Sequence, residues 1–120
     1  MEIIKTEPIG SNVALNPIIK ITTNEQVDPT SLTKLTCLMW DIYGKRVDRI
    51  INYDSNKSQI KIYPIGLLEK NTLYTVMIKG VDGVDNDTPL AIKNIAGDYL
   101  EYSKSFDFST ISSNVPTTTF

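Results

Sequence analysis

Apolar and polar residues alternate with period two in short runs along this chain, and turn-forming residues separate the runs. Ile3 and Ile4 open a first strand that ends near Pro8 and Gly10. In "NPIIKITT" Ile19 and Ile21 share one face, with Lys20 and Thr22 on the other. "TCLMWDI" is apolar on both faces, so alternation leaves its inward side open. "YGKRV" turns the chain at Gly44, and "RVDRIINYD" follows with Val47, Ile51 and Tyr53 inward. In "SQIKIYP" Ile60 and Ile62 point in, and Gln59, Lys61 and Tyr63 point out. "LYTVMIKG" aligns Tyr74, Val76 and Ile78, and "SKSFDFST" aligns Phe106 and Phe108 with Asp107 opposed. About seven short strands with turns between them predict an all-β fold, a two-sheet antiparallel sandwich.

One segment departs from this period. "VDPTSLTKL" sets Asp28 before Pro29, an N-cap followed by proline at the first helical position. It predicts a short helical turn near residues 29–34. The C-terminal "SSNVPTTTF" is polar and offers few core residues. The chain therefore divides into a sandwich domain over 1–111 and an extended tail over 112–120, with no internal repeat.

Composition mainly removes function classes. A chain of 120 residues holds one domain and one core. The net charge of −2 gives no general pull toward nucleic acid or an anionic membrane. No apolar run approaches the ~20 residues a membrane-spanning helix needs, so no membrane insertion is expected. Histidine is absent and Cys37 is the single cysteine. That excludes an intrachain disulfide, Cys-cluster zinc sites, and Ser-His or Cys-His nucleophile pairs. Cys37 lies in the apolar run "LTCLMWDI" and reads as a small packing residue. No carboxylate pair sits in an apolar setting that would raise its pKa, and no glycine-rich phosphate loop is present. Gly80 and Gly83 read as turn glycines. The expectation is a protein that is not an enzyme, with no catalytic residue, no cofactor and no metal.

Two groups of side chains invite sharper readings. "VDGVDNDTP" gathers Asp82, Asp85, Asn86 and Asp87 in a Gly-containing loop, and such oxygen ligands suit calcium. The spacing is not that of an EF-hand, no distal Glu follows, and Asp and Asn are also the usual residues of tight turns. Trp40, Tyr43, Tyr53 and Tyr63 would suit a sugar-stacking platform if several were coplanar and exposed. Only Tyr63 reads as outward, and Trp40, mid-strand among apolar residues, reads as core.

Tyr74 stands six residues after Leu68, across the turn-forming "EKNT", with Val76 and Ile78 continuing its inward face. A ring there would be buried, and its hydroxyl would donate to backbone upstream and pin the loop to the sheet. Leu68 and Tyr74 are thus expected to form a structural tyrosine corner. At this point the chain resembles the bacterial Ig-like domains first associated with S-layer proteins. The match is carried by "IIKITTNEQVDPTSL", "YGKRV", "IKIYPIGLLEKNTLYTVMIKG" and "FDFST", and it covers roughly residues 3–111. Thr23 replaces the aromatic residue usual in that family, which implies looser packing at the end of its strand. The stretch "DNDTPLAIKNIAGDYLEY" is longer than the family's usual connection to the last strand.

The resemblance implies a non-enzymatic structural or assembly module. With Met1 as the native start and no leader or anchor, a lone domain of this kind is expected in a bacteriophage virion. It would sit on capsid, neck or tail and bind other virion proteins, or itself. The alternatives are a domain of a bacterial cell-surface adhesin or S-layer protein, or a carbohydrate-binding module. The tail is expected to act as an arm, with Val115, Pro116 and Phe120 contacting another chain.

Overall fold

In the computed structural model, which describes residues 1–83 and 90–112, eight strands form two four-stranded sheets. They are β1 (Ile3–Glu7), β2 (Gly10–Val13), β3 (Ile19–Thr23), β4 (Cys37–Asp41), β5 (Arg49–Asp54), β6 (Gln59–Pro64), β7 (Leu73–Ile78) and β8 (Lys104–Thr110). One sheet has the order β1-β3-β6-β5, the other β2-β8-β7-β4. Every neighbouring pair is antiparallel except β2 and β8, which run parallel.

The predicted first strand is two strands, one in each sheet. Pro8 has no N–H to continue the β1 ladder, and Gly10 takes a φ of +79° that L side chains rarely adopt. The chain crosses between the sheets there, and β2 meets β8 at Gly10–Phe108 and Val13–Thr110.

Alternation sets the core. Ile19, Ile21, Ile60 and Ile62 face Cys37, Met39, Val76, Ile78 and Phe108, all buried between the sheets. Each such side chain contributes roughly 1.5–3 kcal/mol through removal from water. Thr23 is also buried rather than loosely packed, because its hydroxyl donates to the Glu25 carbonyl at 2.7 Å.

Asp28 caps a 3₁₀ turn, Pro29–Ser31, shorter than predicted because Leu32 already returns to extended backbone. The Asp28 carboxylate accepts from the Thr30 hydroxyl at 2.7 Å and the Thr30 N–H at 2.9 Å. Those bonds hold its pKa below the ordinary aspartate value of 3.8. A depressed folded-state pKa gives stability that is present above the unfolded value and lost as pH falls through the folded one. Asp28→Asn should therefore flatten the acid limb of a stability curve measured by urea unfolding from about pH 5 to about pH 2. An unaltered slope would show that the charge on the cap contributes nothing.

The described part of the long connection folds back on the same end of the sandwich. The Asp28 N–H donates to the Lys93 carbonyl at 2.9 Å, and the Lys93 N–H to the Ser31 hydroxyl at 3.1 Å. Ala91, Ile92 and Leu100 add apolar surface to the core. Glu2 meets Asn24 at this end, where the chain begins. At the opposite end, Leu68 bonds Leu15, Asn71 bonds Ile111, and Ile111 bonds Val13. The described chain thus starts at one end and leaves at the other.

Candidate functional site

Tyr74 is 3% exposed, and its ring stacks on Phe108 with centroids 5.8 Å apart. Its hydroxyl accepts the Glu69 N–H at 2.8 Å, so it serves as acceptor where donation was expected. Burial raises the phenol pKa. Leu68 is buried beside it and donates its own N–H to the Leu15 carbonyl at 2.9 Å. The Thr110 hydroxyl donates to the Glu69 carbonyl at 2.6 Å, so both backbone polar groups of Glu69 are used. Tyr74→Phe should cost about 1–3 kcal/mol, because the Glu69 N–H loses its acceptor. An unchanged melting midpoint would show that the bond contributes nothing.

A buried cation lies between the sheets near β4. Arg49 is 5% exposed and faces inward with Ile51 and Tyr53. Its Nε and Nη2 donate to the Cys37 carbonyl at 2.9 and 2.7 Å, Nη2 also to Lys34, and Nη1 to Val47. Burial lowers its pKa, although a guanidinium stays protonated in proteins. Cys37 is fully buried in β4, and burial pushes its thiol up to about 11. Such a thiol is not a nucleophile at neutral pH.

The aromatic residues divide between different surfaces. Trp40 was expected in the core, but Cys37 and Met39 take the inward positions of β4. Leu38 and Trp40 therefore face outward, opposite Met77 and Thr75 of β7. The guanidinium carbon of Arg46 lies 5.1 Å from the Trp40 ring centroid. Tyr63 occupies the outer face of the other sheet, opposite Ile50, with Ile60 and Ile62 buried on the same strand. Tyr53 points inward, where its hydroxyl donates to Gln26 Oε1 at 2.8 Å and accepts the Val27 N–H at 3.0 Å. Tyr43 is 88% exposed on the hairpin between β4 and β5. The four rings form no common platform.

Asp82 accepts the Ser103 N–H and hydroxyl at 2.6 Å, one on each carboxylate oxygen. The Ser103 hydroxyl is the larger cause of its lowered pKa. Asp85, Asn86 and Asp87 lie outside the described residues, as do Val115, Pro116 and Phe120. Among the described residues, no group of three or more Asp, Glu or Cys side chains is arranged to hold a metal ion. None of their helices is long and apolar enough to cross a membrane. Gly83 is a turn glycine with φ +75°, but Gly80 has another task. A Cβ there would lie 2.5 Å from the Tyr102 carbonyl carbon, so it marks a close backbone crossing.

The sequence finds no match among curated proteins. Its fold is shared with the N-terminal part of the bacterial S-layer protein SbsC, at a TM-score of 0.61 and 15% identity. That alignment covers 88% of this chain and 23% of the S-layer chain. PcoC, a copper resistance protein from Escherichia coli, aligns at a TM-score of 0.65 and 11% identity over 92% and 99% of the two chains. The alpha-2-macroglobulin of E. coli aligns at 0.63 and 12% identity, over 92% of this chain and 6% of that one. This chain therefore spans less than a quarter of the S-layer chain it resembles. None of these proteins is a virion component by name, so the virion expectation has no support among them. The family profile described as the bacterial Ig-like domain matches residues 2–110, nearly the whole sandwich. The chain is a member of the bacterial Ig-like domain family.

Proposed function

We propose that this chain is a non-enzymatic structural module of a bacterial surface protein, holding neighbouring parts of an assembly at a fixed separation. The observation that carries this reading is the course of the chain, which starts beside Asn24 and leaves beside Val13 at the opposite end. A module threaded in this way adds its own length to whatever is joined at its two ends. The likeness to S-layer domains supports a place at the cell surface. The absence of histidine and the inert Cys37 thiol support a role without catalysis. Immunogold labelling of intact, unpermeabilised cells should find the domain outside. Labelling only after permeabilisation, or on virus particles instead of cells, would overturn the proposal.

A further inference from the structure

The outer face of β4 and β7 carries a hollow of about 360 Å³ lined by Leu38, Trp40, Gly44, Arg46 and Met77. That lies near the small end of the range for binding sites, about 300–1,000 Å³. Its walls are built on fixed backbone. Asp41 Oδ1 accepts the N–H groups of Tyr43 and Lys45 at 2.9 Å each, and Gly44 makes the turn with φ +81°. The Val47 N–H then donates to the Met39 carbonyl at 3.1 Å, which lays Arg46 alongside Trp40.

The hairpin beside it carries two cations, Lys45 and Arg46, and the Asp41 carboxylate, whose Oδ1 is taken by backbone N–H groups. The four ion pairs among the described residues use Met1, Lys5, Lys61 and Lys93 as cations. Neither Lys45 nor Arg46 is within ion-pair distance of a described carboxylate, in a protein whose net charge is −2. The chain's other arginine, Arg49, is occupied by carbonyls in the interior. Asp107, on the same face, accepts the Thr75 hydroxyl at 2.8 Å. Trp, Met and Arg are also the residue types enriched at protein interfaces.

We propose that this hollow docks an acidic, apolar segment of a partner protein. A large apolar side chain rests on Leu38, Trp40 and Met77, and a neighbouring carboxylate pairs with Arg46. The site goes beyond the spacer role, which depends on the two ends of the sandwich and stands whether or not the hollow is filled.

Trp40 is the only tryptophan in the chain, so its indole N–H gives a single resonance that reports on the site. Titration with acetyl-Asp-Leu-Phe-Asp-amide should shift that resonance, and those of Leu38 and Met77, to saturation. Arg46 is exposed, so Arg46→Glu should keep the fold while weakening the peptide at least about tenfold. The charge-reversed acetyl-Lys-Leu-Phe-Lys-amide should leave the spectrum unchanged, as should cellohexaose. The proposal is overturned by the absence of a saturable shift, by an equal response to the basic peptide, by binding of the hexasaccharide instead, or by full affinity in Arg46→Glu.

Discussion

Arg49→Ala should destabilise the domain by about 3–5 kcal/mol, the size seen when one partner of a buried charged network is removed. The guanidinium reaches three carbonyls, those of Cys37, Lys34 and Val47, at 2.7–2.9 Å. Alanine would leave these oxygens short of donors and open a hole between the sheets. Arg49→Met restores most of the volume and none of the bonds, so it should remain well below the parent. Arg49→Lys keeps the charge, but one ammonium lacks the planar fork that serves three acceptors at once. Its stability should fall between the two. Urea unfolding with an unchanged m-value gives the measurement, and a loss under about 1 kcal/mol for Arg49→Ala would refute this account.

Gly80→Ala should cost about 3 kcal/mol, toward the upper end for overpacking a tight site. The added methyl would stand 2.5 Å from the Tyr102 carbonyl carbon and 2.8 Å from both the Leu100 oxygen and the Ser103 nitrogen. All three are backbone atoms, so no side chain can swing aside. Nor can the segment retreat freely, because Val81 bonds Leu100 at 2.8 Å and Asp82 bonds Glu101 at 2.7 Å. A fall in Tm of roughly 10 °C or more is expected for a domain of this size. Gly83→Ala supplies the comparison: its Cβ would meet nothing within 4 Å, and only the positive φ opposes it. It should cost about 1 kcal/mol. Equal losses at the two positions would mean that the close crossing is not what Gly80 provides.

Gly83 is the turn glycine its sequence setting predicts, but the role of Gly80 was not visible there. Gly80 sits where a turn glycine would sit, and only the return of residues 100–103 across it reveals the crossing. The sandwich itself was legible, because Ile19 and Ile21, Ile60 and Ile62, and Val76 and Ile78 each mark an inward face by period two. β4 was not, since Cys37, Leu38, Met39 and Trp40 are all apolar and alternation has nothing to choose between. Trp40 went outward because β7 presents Val76 and Ile78 inward, and the register with Met39 and Cys37 fixes the rest. Arg49 was within reach: if Val47, Ile51 and Tyr53 point inward, residue 49 must as well. A charged residue on an inward face was the one available sign of the interior network. Pro8 and Gly10 marked the end of a strand correctly, but the switch to a second sheet depends on a partner, β8, almost a hundred residues away.

The parallel pairing of β2 with β8 has a mechanical consequence. Tension applied between residue 1 and residue 112 draws β2 toward one end of the sandwich and β8 toward the other. The two strands are then pulled along their own length in opposite directions. The hydrogen bonds between them are loaded together in shear instead of opening one after another from a free edge. The antiparallel contact of β1 with β3 is strained lengthwise in the same way. Yielding under load is governed by the rate of unfolding, not by the equilibrium free energy. A domain of ordinary thermal stability with this strand arrangement gives way slowly when stretched.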